Sequence, residues 1–248
     1  MSVDAIARLD RIKRELEAVG HVKVADLAEQ LGVSEMTVRR DLDSLADLGA
    51  VQRVRGGALA LGPQPFAERY GQQAKAKDAI AEKLVDLVGE GGAVGLDAST
   101  TLQRLAARLD GVRDVTALTN STESFTVLDT HPGVTALLTG GQLDPRTGSL
   151  VGPLASRAAR DMLLRRLFVS AAGIDPVHGT TESTLEEAEV KLALAEVSGQ
   201  IIVAVDSSKL GQRGAARCLT LDRIDILVTD LSPKDKRLAP YKDHCRLL

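Results

Sequence analysis

Residues 33–42 read VSEMTVRRDL: a serine placed to cap a helix, then two adjacent arginines followed at once by an aspartate. The hydroxyl of Ser34 can satisfy an orphan amide in a first helical turn, so a helix is expected from Glu35 to about Leu48, with Gly49 as its stop. At about 100° per residue, Val38, Leu42, Leu45 and Leu48 gather on one side and face a core. The opposite side carries Met36 and Arg40, and Thr37 and Arg39 take the flanks. Arg39 and Arg40 therefore diverge and reach different parts of any partner.

The segments on either side decide what that helix is for. Upstream, Ile6, Leu9, Ile12, Leu16 and Val19 recur at helical spacing and Gly20 ends the run. Val24, Leu27, Ala28 and Leu31 predict a second, short helix stopped by Gly32. A short helix, a three-residue turn containing glycine and a second amphipathic helix form a helix-turn-helix. In that arrangement the second helix enters the major groove of duplex DNA and its N-terminal turns meet base edges. Ser34, Glu35, Thr37, Arg39 and Arg40 occupy those turns, and the planar arginine fork suits guanine or phosphate. Downstream, AVQRVRGGALAL (50–61) alternates around Gly56-Gly57, the pattern of a hairpin. Arg53 and Arg55 beside its tip are placed as in a wing lying along phosphates. Bulk charge does not reveal this: residues 1–62 hold nine Lys/Arg against ten Asp/Glu, and the whole chain is formally −3.

Composition excludes several other classes. The 248 residues are 44% hydrophobic and 26% charged, enough to bury a core. Three Phe, two Tyr and no Trp cannot make a stacking platform for single strands. Cys218 and Cys245 have no CxxC partner, and His21, His131, His178 and His244 are scattered, so neither a disulfide framework nor a metal site is expected. No signal peptide and no apolar run of about 20 residues is evident, so the expectation is a cytoplasmic protein without membrane contact.

The composition breaks at LGPQPF (61–66). We expect a DNA-binding domain at 1–61, a linker at 62–76 and a larger domain at 77–248. In the larger domain strand-like stretches (93–97, 115–120, 134–141, 167–173, 201–209, 225–230) alternate with helical ones such as 100–109, 153–166 and 184–198. That alternation specifies an α/β fold with a parallel sheet. Ligands bind outside the carboxyl ends of such strands, and here those ends are polar. They carry Asp97, Ser99, Thr100 and Thr101; Thr119, Asn120 and Ser121; Gly140 and Gly141; and Asp206 with Lys209. Hydroxyls at a helix start favour an anion, and the full set suits a small phosphorylated polyhydroxyl compound. No GxGxxG follows a strand and no GxxxxGK[ST] occurs, which argues against a dinucleotide or nucleoside triphosphate.

The stretch VKVADLAEQLGVSEMTVRRDLDSLADLGAVQRVRGGALA (22–60) resembles the winged helix-turn-helix of the DeoR family of bacterial transcriptional regulators, with its VS…T(V/I)RRDL…GGA pattern. Arg55 stands where that family often has histidine. From Lys77 to Asp230 the order of motifs resembles the family's sensor domain, whose Rossmann-like fold is similar to ribose-phosphate isomerase. The resemblance implies that Asp97-Ala-Ser99-Thr100-Thr101 holds the phosphate of a sugar phosphate, with Thr119-Asn120, Gly140-Gly141, Ala172-Gly173 and Asp206-Ser-Ser-Lys209 around it. Ser99 replaces the usual glycine of the phosphate loop. GTTESTLEEAEVK (179–191) resembles the segment before the family's late helix, which implies that Glu182 or Lys191 approaches the ligand.

Two functions follow. In the first the chain regulates transcription, as a repressor of a carbohydrate catabolism operon that binds its operator as a dimer or tetramer and responds to a sugar-phosphate effector, with no cofactor. In the second it is a sugar-phosphate isomerase carrying a DNA-binding appendage. An isomerase needs a positioned base, and Asp97, Glu182 and Asp206 show no paired arrangement in the sequence. A winged helix has no use in a plain metabolic enzyme, so the regulator is the expectation.

Overall fold

The computed structural model describes residues 3–47, 51–60 and 64–248. The expected helix stop at Leu48 and Gly49, and the start of the composition break at 61–63, lie outside the described residues. The chain divides into two compact units, Met1–Arg69 and Tyr70–Leu248.

The smaller unit begins with α1 (Val3–Val19), then β1 (His21–Lys23), α2 (Val24–Leu31) and α3 (Glu35–Asp47), then β2 (Val51–Val54) and β3 (Gly57–Ala60). Leu9, Ile12 and Leu16 of α1 are buried, as their spacing predicts, while Ile6 and Val19 from the same stripe stay exposed. They pack with Val24, Leu27, Val38, Leu42, Leu45, Val51 and Ala58 into one core. Gly32 ends α2 in the left-handed conformation (φ 65°, ψ 31°), its amide donating back to Ala28 and Glu29 carbonyls, the usual means of closing a helix. Three antiparallel strands in the order β1-β3-β2 complete a winged helix-turn-helix. The strand β1 has no signal in the sequence, being three residues without alternation. It forms because Gly57 lets the backbones meet: a Cβ there would lie 2.0 Å from the Val22 carbonyl oxygen.

Helix α4 (Phe66–Gly71) and the first turn of α5 (Ala74–Val88) fall within 62–76, so the stretch expected as a linker is partly helical. The larger unit continues through β4 (Gly92–Leu96), α6 (Thr100–Ala106), β5 (Val115–Thr119), α7 (Thr122–Leu128) and β6 (Val134–Leu138). A small hairpin, β7 (Gln142–Asp144) and β8 (Ser149–Val151), leads into α8 (Pro153–Arg160) and β9 (Arg166–Val169). Next come β10 (Gly173–Asp175), β11 (Gly179–Glu182), α9 (Leu185–Glu196), β12 (Ile201–Ala204) and β13 (Ala216–Arg217). The chain ends with β14 (Ile226–Val228) and β15 (Arg246–Leu247). Three short 3-10 turns occupy Ser207–Lys209, Leu221–Arg223 and Lys236–Tyr241.

The main sheet is parallel, seven strands in the order β15-β14-β12-β9-β4-β5-β6. Its five inner strands are largely buried on both faces, while the edge strands β6 and β15 are partly exposed. Phe168, Ile202 and Ala204 pack under α5 and α6, while their neighbours Leu167, Val169 and Val203 pack under α8 and α9, the two-residue alternation of a strand. The strand order reverses between β4 and β9: the chain moves from β4 outward to β6, then returns to β9 on the other side. That switch point is where a ligand crevice forms in open α/β sheets. Several strands end earlier than expected from the sequence. The strands stop at Ala204, Leu138 and Val169, and the polar residues beyond them form turns. The antiparallel sheet β10-β11-β13 and the β7-β8 hairpin are additions that the alternation does not show.

Candidate functional site

In the smaller unit the outward side of α3 follows the pattern of VSEMTVRRDL. Ser34 caps the helix, its Oγ accepting from Thr37 N at 3.2 Å and lying 3.0 Å from Thr37 Oγ1. Arg39 Nη2 pairs with Glu35 Oε2 at 2.6 Å, both side chains half exposed. Arg40 is exposed and has no partner among the described residues, while Val38, Leu42 and Leu45 are fully covered. Of the expected wing arginines, Arg55 is exposed in the hairpin turn beside Gly56, which takes φ +83°. Arg53 is committed elsewhere. Its Nε meets Asp43 Oδ1 at 2.7 Å and its Nη1 donates to the Gly57 carbonyl, so it fastens the wing to α3. The sequence also left unexplained why an aspartate follows the arginines. Asp41 is turned inward, where Arg8 holds both carboxylate oxygens through Nε and Nη2 (the latter at 3.1 Å) and ties α1 to α3.

In the larger unit the parallel sheet sets the carboxyl ends of β12, β9, β4, β5 and β6 side by side, and with them the expected ligand residues. Asp97, first residue beyond β4, is fully buried. Its Oδ2 accepts from Ser170 N at 2.9 Å and from Lys191 Nζ at 2.8 Å. Lys191 also donates to Glu182 Oε1 at 2.7 Å and to the Ser170 carbonyl at 2.8 Å. One ammonium thus clasps the ends of β4, β9 and β11 to α9, across the switch point. Burial pushes the Glu182 carboxyl up to about 7, against the opposing pull of Lys191. Burial disfavours the Lys191 ammonium, but Asp97, Glu182 and Glu187 outweigh it and hold its pKa above the ordinary lysine range. Burial and Glu182 raise the nearby Cys218 thiol to about 11, so it is no nucleophile near neutrality.

The other expected residues lie at or just beyond the carboxyl ends of β4, β5, β6 and β12. Ser99 caps α6, accepting from Leu102 N at 3.2 Å, and Thr100 and Thr101 follow it, both buried. Thr119 Oγ1 accepts from Ser121 N at 3.1 Å. Asn120 is fixed to the β7-β8 hairpin: its carbonyl accepts from Leu150 N at 2.7 Å and its Nδ2 donates to the Leu150 carbonyl at 3.2 Å. Gly140 and Gly141 take φ +68° and +117°, and a Cβ on Gly141 would lie 2.7 Å from the Val151 carbonyl oxygen. Asp206 caps the turn that follows it, accepting from Ser208 N at 3.1 Å and from the Ser208 hydroxyl. Lys209 is half-buried at the end of that turn. Several buried polar atoms of this unit have no hydrogen-bond partner among the described residues: Asp97 Oδ1, Asn120 Oδ1, Ser124 Oγ on α7 and Ser156 Oγ on α8. Such atoms are costly unless something satisfies them. Of the clasp, Asp97 was traceable in the sequence as a polar strand end, and Glu182 and Lys191 through GTTESTLEEAEVK; Ser170 carries no signal because it acts through its backbone. Among the described residues no group of His, Cys, Asp and Glu is arranged to hold a metal ion, and no helix is long and apolar enough to cross a membrane.

A winged DNA-binding unit joined to a Rossmann-like α/β unit with polar strand ends beside its switch point is the architecture of a ligand-responsive transcriptional regulator. The chain matches the DeoR-like helix-turn-helix domain over residues 8–64 and the DeoR C terminal sensor domain over residues 72–231. It belongs to the DeoR family. It is 33% identical to the HTH-type transcriptional regulator GlpR of Haloferax volcanii over 84% of this chain and 82% of that protein. It is 29% identical to the lactose phosphotransferase system repressor of Streptococcus mutans over 95% of this chain and 97% of that protein. A more distant likeness, 19% identical with a TM-score of 0.39, joins 56% of this chain to 54% of ribose 5 phosphate isomerase A from Neisseria gonorrhoeae. At that distance the likeness says nothing about activity. The protein is a DNA-binding transcriptional regulator with a small-molecule sensor domain, and not an enzyme.

Proposed function

We propose that the protein is a repressor of an operon for carbohydrate use, and that a phosphorylated sugar bound at the carboxyl ends of β4, β5, β6 and β12 alters its grip on the operator. The observation that supports this reading is that Ser99, Thr100, Thr101, Thr119, Asn120, Gly140, Gly141 and Lys209 all lie at or beyond the carboxyl ends of strands in one parallel sheet. Hydroxyls, an amide, open glycine backbone and one cation match a ligand that is anionic at one end and polyhydroxylic along its length. Relatives named as repressors of sugar systems point the same way. Asp97 is assigned to holding the crevice in shape through Lys191 rather than to touching ligand with Oδ2, which is fully engaged.

On the DNA side, Arg40 is assigned to a base edge, with Arg39, Thr37, Glu35 and Ser34 setting the helix end and Arg55 meeting a phosphate. Arg53 contributes by fixing the wing. Operators of such regulators are read by symmetric partners with recognition helices ~34 Å apart or a multiple of it, so a dimer or tetramer acting in the cytoplasm is the working form. Coupling between the two sites of this kind is typically about 1–3 kcal/mol, a 5- to 150-fold change in operator affinity.

The test is a thermal-shift panel of sugar phosphates and their unphosphorylated parents, followed by gel retention of upstream DNA with each hit. A phosphorylated sugar that raises the melting temperature and changes retention supports the reading. Stabilisation by no phosphorylated sugar, or by the parent sugars equally, overturns it.

A further inference from the structure

We propose that Met36 reads the C5 methyl group of a thymine in the operator, making it a sequence-specifying residue beside Arg40; this rests on the DNA-binding role of α3. Met36 is the second residue of α3 and is 70% exposed, whereas Val38, Leu42 and Leu45 on the inward side are fully covered. It lies one turn before Arg40 on the same outward line. The other polar side chains of that first turn are already engaged. Ser34 Oγ and Thr37 bond to each other, and Glu35 holds Arg39 at 2.6 Å. What the helix end offers a partner is therefore one uncommitted guanidinium and one large apolar side chain. Met36 borders an open groove of about 870 Å³ with Ala5, Arg8, Thr37, Arg40 and Ser44 along its walls.

The chemistry selects the target. In the major groove thymine alone presents a methyl group, and apolar side chains recognise it by contact. Methionine suits this because it is unbranched, polarizable and free about three bonds, so it can follow the methyl without strain. Four residues of helix advance about 6 Å, less than two base-pair steps. The thymine should accordingly lie within about two base pairs of the position that Arg40 contacts.

The probe is a duplex selected from a random pool by the intact protein. Each thymine is replaced singly by deoxyuridine, which removes only the methyl group, and affinity is measured by fluorescence anisotropy for the wild type and Met36→Ala. The exposed position makes the variant safe for folding, and equal melting temperatures verify it. At one thymine of each half-site, deoxyuridine should weaken the wild type about fourfold, the factor for one buried methyl group. Met36→Ala should bind the two duplexes equally while keeping any methyl sensitivity elsewhere. A wild type indifferent to deoxyuridine at every thymine, or a Met36→Ala protein with unchanged sensitivity, overturns the proposal. Failure to enrich any sequence would overturn the DNA role of α3 itself, so the two failures are distinct.

Discussion

Replacing Glu182 by glutamine removes a carboxyl group that burial holds at a pKa of about 7, and the substitution should separate the two proteins by pH. The fold raises this carboxyl from its ordinary 4.5 to about 7, so it favours the protonated form. The associated stability is fully present below pH 4.5 and is lost as pH rises through about 7. The gap corresponds to about 3 kcal/mol in total, and to roughly 2–3 kcal/mol between pH 5 and 8. Glutamine keeps an oxygen for Lys191 but cannot ionise. Relative to wild type, Glu182→Gln should therefore gain roughly 2–3 kcal/mol across that window. For a unit of this size that is about 5–10 °C in melting temperature. Calorimetry of the intact protein, following the transition of the larger unit in steps from pH 5 to 8, measures the difference directly. A difference between variant and wild type that stays constant across the window, or that grows in the wild type's favour, would refute the assignment of a buried, high-pKa carboxyl to the clasp.

Arg40→Ala should leave the fold intact and weaken operator binding by about 1–3 kcal/mol for a lost bidentate base contact; unchanged affinity in a gel-retention titration counts against the docking of α3. The double substitution Thr100→Ala with Lys209→Ala should keep DNA binding and lose the response to the sugar phosphate, and a normal response removes both residues from the crevice. Arg8→Met strands the buried Asp41 carboxylate, and because the pair is partly solvated the cost should be about 2–3 kcal/mol, below the range for fully buried pairs. Urea unfolding of the smaller unit checks this, with no change as the contrary result. Operator affinity should fall linearly with salt on logarithmic axes as phosphate contacts release counterions; a flat line is incompatible with duplex DNA.

The winged unit was legible because its signals are local. Ser34, Gly32 and the spacing of Val38, Leu42 and Leu45 each act within a turn or two, and all appear in the structure as the sequence implies. Arg53 was not legible in the same way, since its destination depends on Asp43, ten residues away on α3, and on the Gly57 carbonyl. The same holds for Asp41, whose partner Arg8 sits on another helix. In the larger unit the β/α alternation announced the parallel sheet, and the polar residues after its strands mark the carboxyl ends where the candidate site lies. The clasp was hidden because Asp97, Ser170, Glu182 and Lys191 are scattered over almost a hundred positions and one of them contributes only backbone atoms. Strand ends were misjudged where the expected strand was carried into Thr, Ser or Gly, as at Thr139-Gly140-Gly141, because pairing decides where a strand stops.

The division of labour between Lys191 and the residues beyond the strand ends has an evolutionary corollary. Foundation and proposed lining are held by different side chains: Lys191, Asp97 and Glu182 tie the strand ends together, while Thr100, Gly140 and Lys209 take no part in that bracing. Descendants of this chain can exchange lining residues, and with them the sugar they answer to, without first dismantling the scaffold.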